Sequence, residues 1–192
     1  MSTVVKLREV SKTFPGGVVA VDNVSIELRE GNGAGKSTLM NLISGYMIPD
    51  KGEIYVHDVK INDFHTAIFE GVVKVEQNPN LAPGLTLAEH LALPMPGIFF
   101  NVDWLRRRVE KFMGDIGVKV DLDAKVEDLP ISHLRVFEIA KAIILCELFY
   151  EVGVKPTLIL DEATVFLPIQ QKQILKEVFR NLVSRGFTIL MI

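Results

Sequence analysis

The sequence predicts an α/β fold with an antiparallel β part at its N-terminus and a helical subdomain inserted into the α/β core. Three observations carry this expectation. Asn32-Gly33-Ala34-Gly35-Lys36-Ser37-Thr38 runs directly into an apolar-faced helix, Leu39 to Ile43. Thr157-Leu158-Ile159-Leu160 is a continuous apolar run, of the kind buried on both faces of a parallel sheet, and it ends in Asp161-Glu162. From Asn78 to about Val154 the apolar spacing is helical, whereas strand patterns flank it on both sides.

Glycine-rich backbone leading into Lys-Ser-Thr at a helix start is the phosphate cradle of P-loop proteins. The glycines let successive N–H groups turn toward phosphate oxygens, and the helix N-terminus adds the positive end of its dipole. In this reading Lys36 neutralises the β/γ-phosphates of a nucleotide and the Ser37 hydroxyl ligates Mg²⁺. The motif is irregular. The pattern G-x-x-x-x-G-K-[ST] requires glycine at position 30, where Glu30 stands, with Gly31 one place late. A buried strand should also feed the loop. Val24 to Leu28 alternates like a half-buried strand, but it ends in the Arg29-Glu30-Gly31 turn.

At 192 residues the chain suffices for one good core and is marginal for two domains. With 48% apolar and 23% charged residues it is globular rather than disordered. A net charge of −3 argues against a nucleic-acid footprint over the whole domain. No stretch approaches the ~18 uninterrupted apolar residues of a membrane span. The N-terminus, with Lys6, Arg8 and Glu9 among its apolar residues, does not read as a signal peptide. Cys146, beside Ile143-Ile144-Leu145, reads as a buried thiol in a reducing compartment. His57, His65, His90 and His133 show no metal-ligand spacing. A soluble cytosolic protein is expected.

In chain order, Val4 to Val10 and Val18 to Leu28 read as strands on either side of Phe14-Pro15-Gly16-Gly17. Phe14 has two open roles, a core plug or a platform that stacks an adenine ring. After the loop helix, Gly45 supplies a C-cap, Pro49 to Gly52 a turn, and Glu53 to Val59 a strand. Val72 to Val75 is a short strand that delivers Glu76-Gln77 at its tip, where α/β proteins bind ligands. Gln77 is open as a contact to Mg²⁺, a contact to the attacking water, or a plain turn residue.

Thr86-Leu87-Ala88-Glu89 is a capping box opening a short helix. Leu105, Val109, Phe112 and Ile116 follow helical spacing on a second. The Arg106-Arg107-Arg108 run there reads as a solvated face, since no aromatic interleaving accompanies it. A third helix starts near Ser132 with Val136, Ile139, Ala140, Ile143 and Ile144 on one side. Beyond it comes the apolar strand ending in Asp161-Glu162. An acidic pair at a strand tip is expensive to bury, so a cation or water partner is implied. Asp161 is placed to hold Mg²⁺ through water, and Glu162 is a general-base candidate for the attacking water. A last helix carries Ile174, Leu175, Val178, Phe179 and Leu182, and Phe187 to Ile192 reads as a final strand.

Together these residues resemble the ATPase subunits of ABC transporters over nearly the whole chain. Under this resemblance the fold is that of a P-loop ABC ATPase, and residues 1–192 form a single nucleotide-binding domain. Phe14 corresponds to the adenine-stacking aromatic, Asn32 to Thr38 to Walker A, Gln77 to the Q-loop glutamine, and Leu158 to Glu162 to Walker B with its catalytic glutamate. Ser11 to Gly16, Asp123 to Leu129 and Val136 to Ala142 are most similar to the subfamily that takes up simple sugars and nucleosides. Asn78 to Leu81 and Pro83 to Thr86 also resemble branched-chain amino-acid importers.

The resemblance implies ATP and Mg²⁺ as cofactors, a second ABC ATPase domain as dimer partner, transmembrane permease subunits and, indirectly, a substrate-binding protein. The implied location is the inner face of the cell membrane, on the cytoplasmic side. Two alternatives from other classes are a soluble, non-transport ABC ATPase and a degenerate ATP-binding regulatory domain. The absence of an Asn-Lys-x-Asp motif argues against a GTPase.

The chain departs from the family at several points. Where Leu-Ser-Gly-Gly-Gln or a relative is expected, it has Leu129-Pro130-Ile131-Ser132-His133, so Pro130 replaces a serine and offers no N–H. Ala163 to Pro168 lacks the proline after the glutamate and the D-loop aspartate. The switch histidine is expected beyond Ile192. An asymmetric pair with one strong and one weak hydrolytic site follows from these departures. A family member would also carry about eight more residues between Gly31 and Asn32, namely the buried strand and the first Walker A glycine. The expectation is an omission there, visible as a Cα spacing well beyond about 3.8 Å.

Overall fold

The structure is a computed structural model. It describes residues 3–14, 18–29, 37–93 and 101–191, with side chains at 7–10, 38–93 and 101–191. The Gly31–Asn32 junction lies outside the described residues. Strands β1 (Thr3–Phe14) and β2 (Val18–Arg29) pair antiparallel, and β1 also pairs with β3 (Lys51–Val56). With β4 (Val59–Lys60) they form an antiparallel sheet in the order β2-β1-β3-β4. The strand expected over Glu53 to Val59 is thus two strands. His57 and Asp58 take φ of 48° and 66° and turn the chain back on itself. Two consecutive left-handed residues make the tight hairpin turn that matches strand twist.

A second sheet is parallel, in the order β5-β6-β7, from β5 (Val72–Val75), β6 (Thr157–Leu160) and β7 (Thr188–Met191). Side chains alternate between its faces, and the two cores divide accordingly. Val72, Ile159 and Leu190 face helix α1 (Ser37–Ile43), whose Leu39, Met40, Leu42 and Ile43 are buried. The other side of α1 meets Leu7, Val10, Ile54 and Val56 of the antiparallel sheet. This seven-residue helix is therefore clasped between two sheets, which holds a length too short to be stable alone.

The opposite face of the parallel sheet, with Val73, Val75, Leu158 and Leu160, packs against helices. These are α3 (Leu87–Ala92), α4 (Val102–Asp115), α5 (Ile131–Glu151) and α6 (Ile169–Ser184). The Thr86 capping box is present: Glu89 N–H donates to Thr86 Oγ1 at 3.1 Å and Thr86 N–H to Glu89 Oε2 at 2.7 Å. On α4 the buried side is Leu105, Val109 and Met113, with Phe112 only half-buried. Arg106 forks onto Asp123 at 2.9 and 2.7 Å, and Arg108 pairs with Glu147, so two of the three arginines bind their own domain. Helix α5 is buried on nearly all sides rather than one, and Cys146 is wholly enclosed within it. Burial drives that thiol far above its ordinary range. On α6 Leu175, Phe179 and Leu182 are buried, whereas Ile174 lies at the surface.

A short helix that the sequence reading passed over, α2 (Phe64–Phe69), starts at Asp63, whose carboxylate accepts from Thr66 N–H at 2.7 Å. The end of α1 abuts this cap. Gly45 has φ +70°, and a Cβ there would lie 2.3 Å from the Asp63 carbonyl oxygen.

Helix α5 also carries charge into the interior. Arg135, fully buried, donates from Nη1 to the Glu76 carbonyl at 2.7 Å and to Glu138 Oε2 at 3.2 Å. Glu138 in turn accepts from Asn80 N–H at 3.0 Å, and Lys141 donates to the His90 carbonyl at 3.0 Å. Burial pushes the Glu138 carboxyl up to about 7, against the pull of the Asn80 amide, Arg135 and Lys141.

Two outcomes are expected. Gly45→Ala strains the backbone and collides with the α2 cap, and should lower unfolding free energy by roughly 2 kcal/mol or more in a urea titration. For Glu138, the folded chain holds the carboxyl proton more tightly than the unfolded one. Its stabilising contribution is complete below the ordinary value of 4.5 and is lost as pH rises through about 7. Carbon-detected NMR should find this carboxyl titrating near that value, and Glu138→Gln should flatten the decline of stability from about pH 5 to about pH 8.

Candidate functional site

The site is laid out by strand register. Val72 to Val75 pair in order with Thr157 to Leu160, so the next residues, Glu76 with Asp161 and Gln77 with Glu162, emerge side by side at the C-terminal tips. Asp161 N–H continues the ladder by donating to the Val75 carbonyl at 3.1 Å. Gln77 Nε2 then donates to Glu162 Oε2 at 2.8 Å, joining residues 85 apart in sequence.

Asp161 is 2% exposed. Glu162 is half-buried and has φ +48°, a left-handed backbone conformation that ordinary side chains adopt at a cost of about 1–3 kcal/mol. A turn closes behind it, with Val165 N–H donating to the Glu162 carbonyl at 3.2 Å. The left-handed residue re-aims the chain at the strand tip, so Glu162 meets Gln77 instead of continuing the sheet.

On the same face as α1, Lys74 Nζ donates to Glu76 Oε2 at 2.7 Å and to Asn41 Oδ1 of α1. It also stands 3.7 Å from Asp161 Oδ2. Lys74 thus links α1 to the neighbourhood of the Asp161 carboxylate. The Tyr46 ring lies 5.5 Å from the ammonium, and burial, followed by the Glu76 charge, raises the Tyr46 phenol above its ordinary value. Sequence reasoning missed Lys74 and Asn41. The available signal was a lysine within the otherwise apolar run Val72-Val73-Lys74-Val75.

Other expected site residues are placed as follows. Asn32, Gly33, Ala34, Gly35 and Lys36 lie outside the described residues. Ser37 opens α1 and Phe14 ends β1, described in backbone alone; Thr38 is half-buried on α1. Pro130 caps the N-terminus of α5 without a side-chain hydrogen bond, and Ile131 after it is 48% exposed. Val165, Phe166 and Ile169 follow Glu162 at the surface, while Leu167 is buried.

Among the described residues no group of three or more His, Cys, Asp or Glu side chains is disposed to hold a metal ion by itself. The tips carry the carboxylates of Glu76, Asp161 and Glu162 and the Gln77 amide. These are hard oxygen ligands in small number, which suits Mg²⁺, an ion that keeps several waters and shares phosphate oxygens. Among the described residues no helix is long and apolar enough to cross a membrane.

Known proteins resemble this chain in sequence and in fold. Residues 26–165 match the ABC transporter family. A ribose import ATP-binding protein of Rubrobacter xylanophilus is 38% identical over 206 residues, which takes in all of this chain and 40% of that protein. An arabinose import ATP-binding protein of Rhizobium etli is 34% identical, across 96% of this chain and 38% of its own length. The chain thus spans about two fifths of the length of these relatives.

Among solved structures, a dimeric ATP-binding cassette in a post-hydrolysis state with ADP and Pi superimposes with a TM-score of 0.77. The superposition covers 97% of this chain and 86% of that one, at 24% identity. A nucleotide-free cassette from an ABC transporter gives 0.74 over 99% and 81%, at 19% identity. The fold is accordingly that of an ABC ATPase cassette, as the sequence reading expected. Because the family match extends over well more than half of its residues, this chain belongs to the ABC transporter family.

Proposed function

We propose that this chain is the ATP-hydrolysing unit of an importer for a small solute such as a simple sugar or nucleoside. The observation that carries the reading is the Gln77–Glu162 hydrogen bond at the paired strand tips, beside the buried Asp161 and on the sheet that packs against α1. Glu162 is the base: its carboxylate takes the proton of the water that attacks the γ-phosphorus. Gln77 fixes that carboxylate through its amide N–H, which leaves its carbonyl oxygen as the ligand atom for a cation. Asp161 and Ser37 would hold Mg²⁺, which when bound neutralises charge on the phosphate oxygens. Lys36, Thr38 and the main-chain N–H groups of Asn32 to Gly35 would cradle the phosphates, and Phe14 would stack the adenine.

The relatives' names, ribose and arabinose import ATP-binding proteins, support a sugar over a branched-chain amino acid. At least fourteen of the 206 aligned positions in the first comparison have no residue from this 192-residue chain, which leaves room for an omission such as the one expected between Gly31 and Asn32. The partners in this reading are a second ATPase domain, a membrane permease that brings the chain to the cytoplasmic face, and indirectly a substrate-binding protein. Pro130 at the α5 N-terminus has no N–H to give a partner's γ-phosphate, and the exposed Ile131 beside it is apolar. The pair would therefore hold one strong and one weak hydrolytic site.

In the complex assembled with its permease, Glu162→Gln should lower steady-state ATP hydrolysis by about a hundredfold or more while MgATP still binds. Unchanged turnover would make the chain an ATP-binding regulatory module. Gln77→Ala, which releases the carboxylate but keeps the base, should lower kcat by roughly tenfold in the same phosphate-release assay.

A further inference from the structure

Lys74 has no part in the scheme above, yet its ammonium meets three residues of the site. Its register partner on β6 is Ile159, so it points to the same side of the sheet as Asp161 two residues on, the side that carries α1. Its side chain is 1% exposed. Three oxygens from three elements surround the ammonium: Asn41 Oδ1 from α1, Glu76 Oε2 at 2.7 Å from the tip of β5, and Asp161 Oδ2 at 3.7 Å from the tip of β6. An ammonium has three protons to donate, and the Tyr46 ring 5.5 Å away adds its negative face. Partners of this kind offset the cost of taking a charge out of water. Removing either Asp161 or Glu76 would strip it of a counter-ion, and removing Lys74 would leave two carboxylates facing each other.

We propose that Lys74 is a positioning residue for the ATPase site, a tethered ammonium that aims Asp161 and occupies the acidic sheet tips ahead of any divalent cation. The proposal rests on the functional reading above. A fixed positive charge beside Asp161 opposes a divalent cation arriving alone. A cation accompanied by triphosphate brings its own negative charge and meets much less opposition. Lys74 thereby makes metal entry depend on the nucleotide. Its hold on Asn41 also ties the helix following the glycine-rich loop to the strand tips, so α1, Glu76 and Asp161 keep one spacing.

The test is Mn²⁺ binding to the full chain without nucleotide, followed by the EPR signal of free Mn²⁺. Lys74→Met, which keeps the aliphatic stem and loses the charge, should bind Mn²⁺ about tenfold more tightly than the parent; Lys74→Arg, which keeps the charge, should stay within about threefold. Adding Asp161→Asn to the Met variant should abolish the gain. Unchanged or weaker Mn²⁺ binding by a folded Lys74→Met protein would overturn the proposal, as would a gain that survives Asp161→Asn. Should the Met variant not fold, Lys74→Gln retains an N–H donor for Asn41 and Glu76 and carries the same comparison. The readout needs no hydrolysis, so it stands or falls separately from the Glu162→Gln assay.

Discussion

Four residues of β6, buried from Thr157 to Leu160, sit between β5 and β7 and decide where the groups at the strand tips fall. A parallel strand enclosed on both faces and both edges has one usable register, because a slip of one residue would exchange its two sets of side chains. Leu158 and Leu160 would then face α1, and Thr157 and Ile159 the helical layer, each against the wrong packing partners. The same slip would carry Asp161 to the far side of the sheet and part Glu162 from Gln77. Packing of apolar groups in the strand thus sets the position of the polar groups just past its end.

The second constraint is the clasp on α1. Its seven residues have no helical stability of their own worth counting, and they stay folded because one sheet lies on each side. A helix held this way has little freedom to tilt. Lys74 through Asn41 fixes it on one side and the Gly45–Asp63 abutment fixes its end. Arg135 and Glu138 extend the same rigidity outward, linking the start of α5 to the backbone beside Gln77 and at Asn80. The segment around Pro130 and the β5 tip are therefore mechanically joined through buried charge, which is less compliant than apolar contact because its partners are directional.

Much of this was legible in the sequence wherever a local rule determined the outcome. The apolar run of β6, the acidic pair after it and the capping box at Thr86 depend on neighbours only a few residues away, and the structure shows each. Where the outcome depended on tertiary surroundings the reading was coarser. Helix α5 read as one-sided from its apolar spacing, yet Arg135 is enclosed, Lys141 is half-buried, and both are hydrogen-bonded. The turn at His57-Asp58 carries no glycine, so nothing local announced its two left-handed residues. Of the neighbouring positions 112 and 113, both within reach of the buried side of α4, Met113 is enclosed and Phe112 packs half-buried against the same core. The Gln77–Glu162 bond spans 85 positions and is invisible without the register that creates it. For α2 the cue existed, since Asp63 three residues before Thr66 is an N-cap spacing, but six residues gave too short a pattern to read.

The backbone of Glu162 has an implication for how such a chain ages and drifts. At φ +48° a glycine or an asparagine would sit more comfortably than a glutamate. Selection for thermal robustness alone would consequently favour replacing this side chain, and on the function proposed above the resulting protein would be sturdier but without its base. On that same reading, an acid kept at this strained position signals pressure for turnover, and glycine or asparagine there would signal a domain kept for its shape.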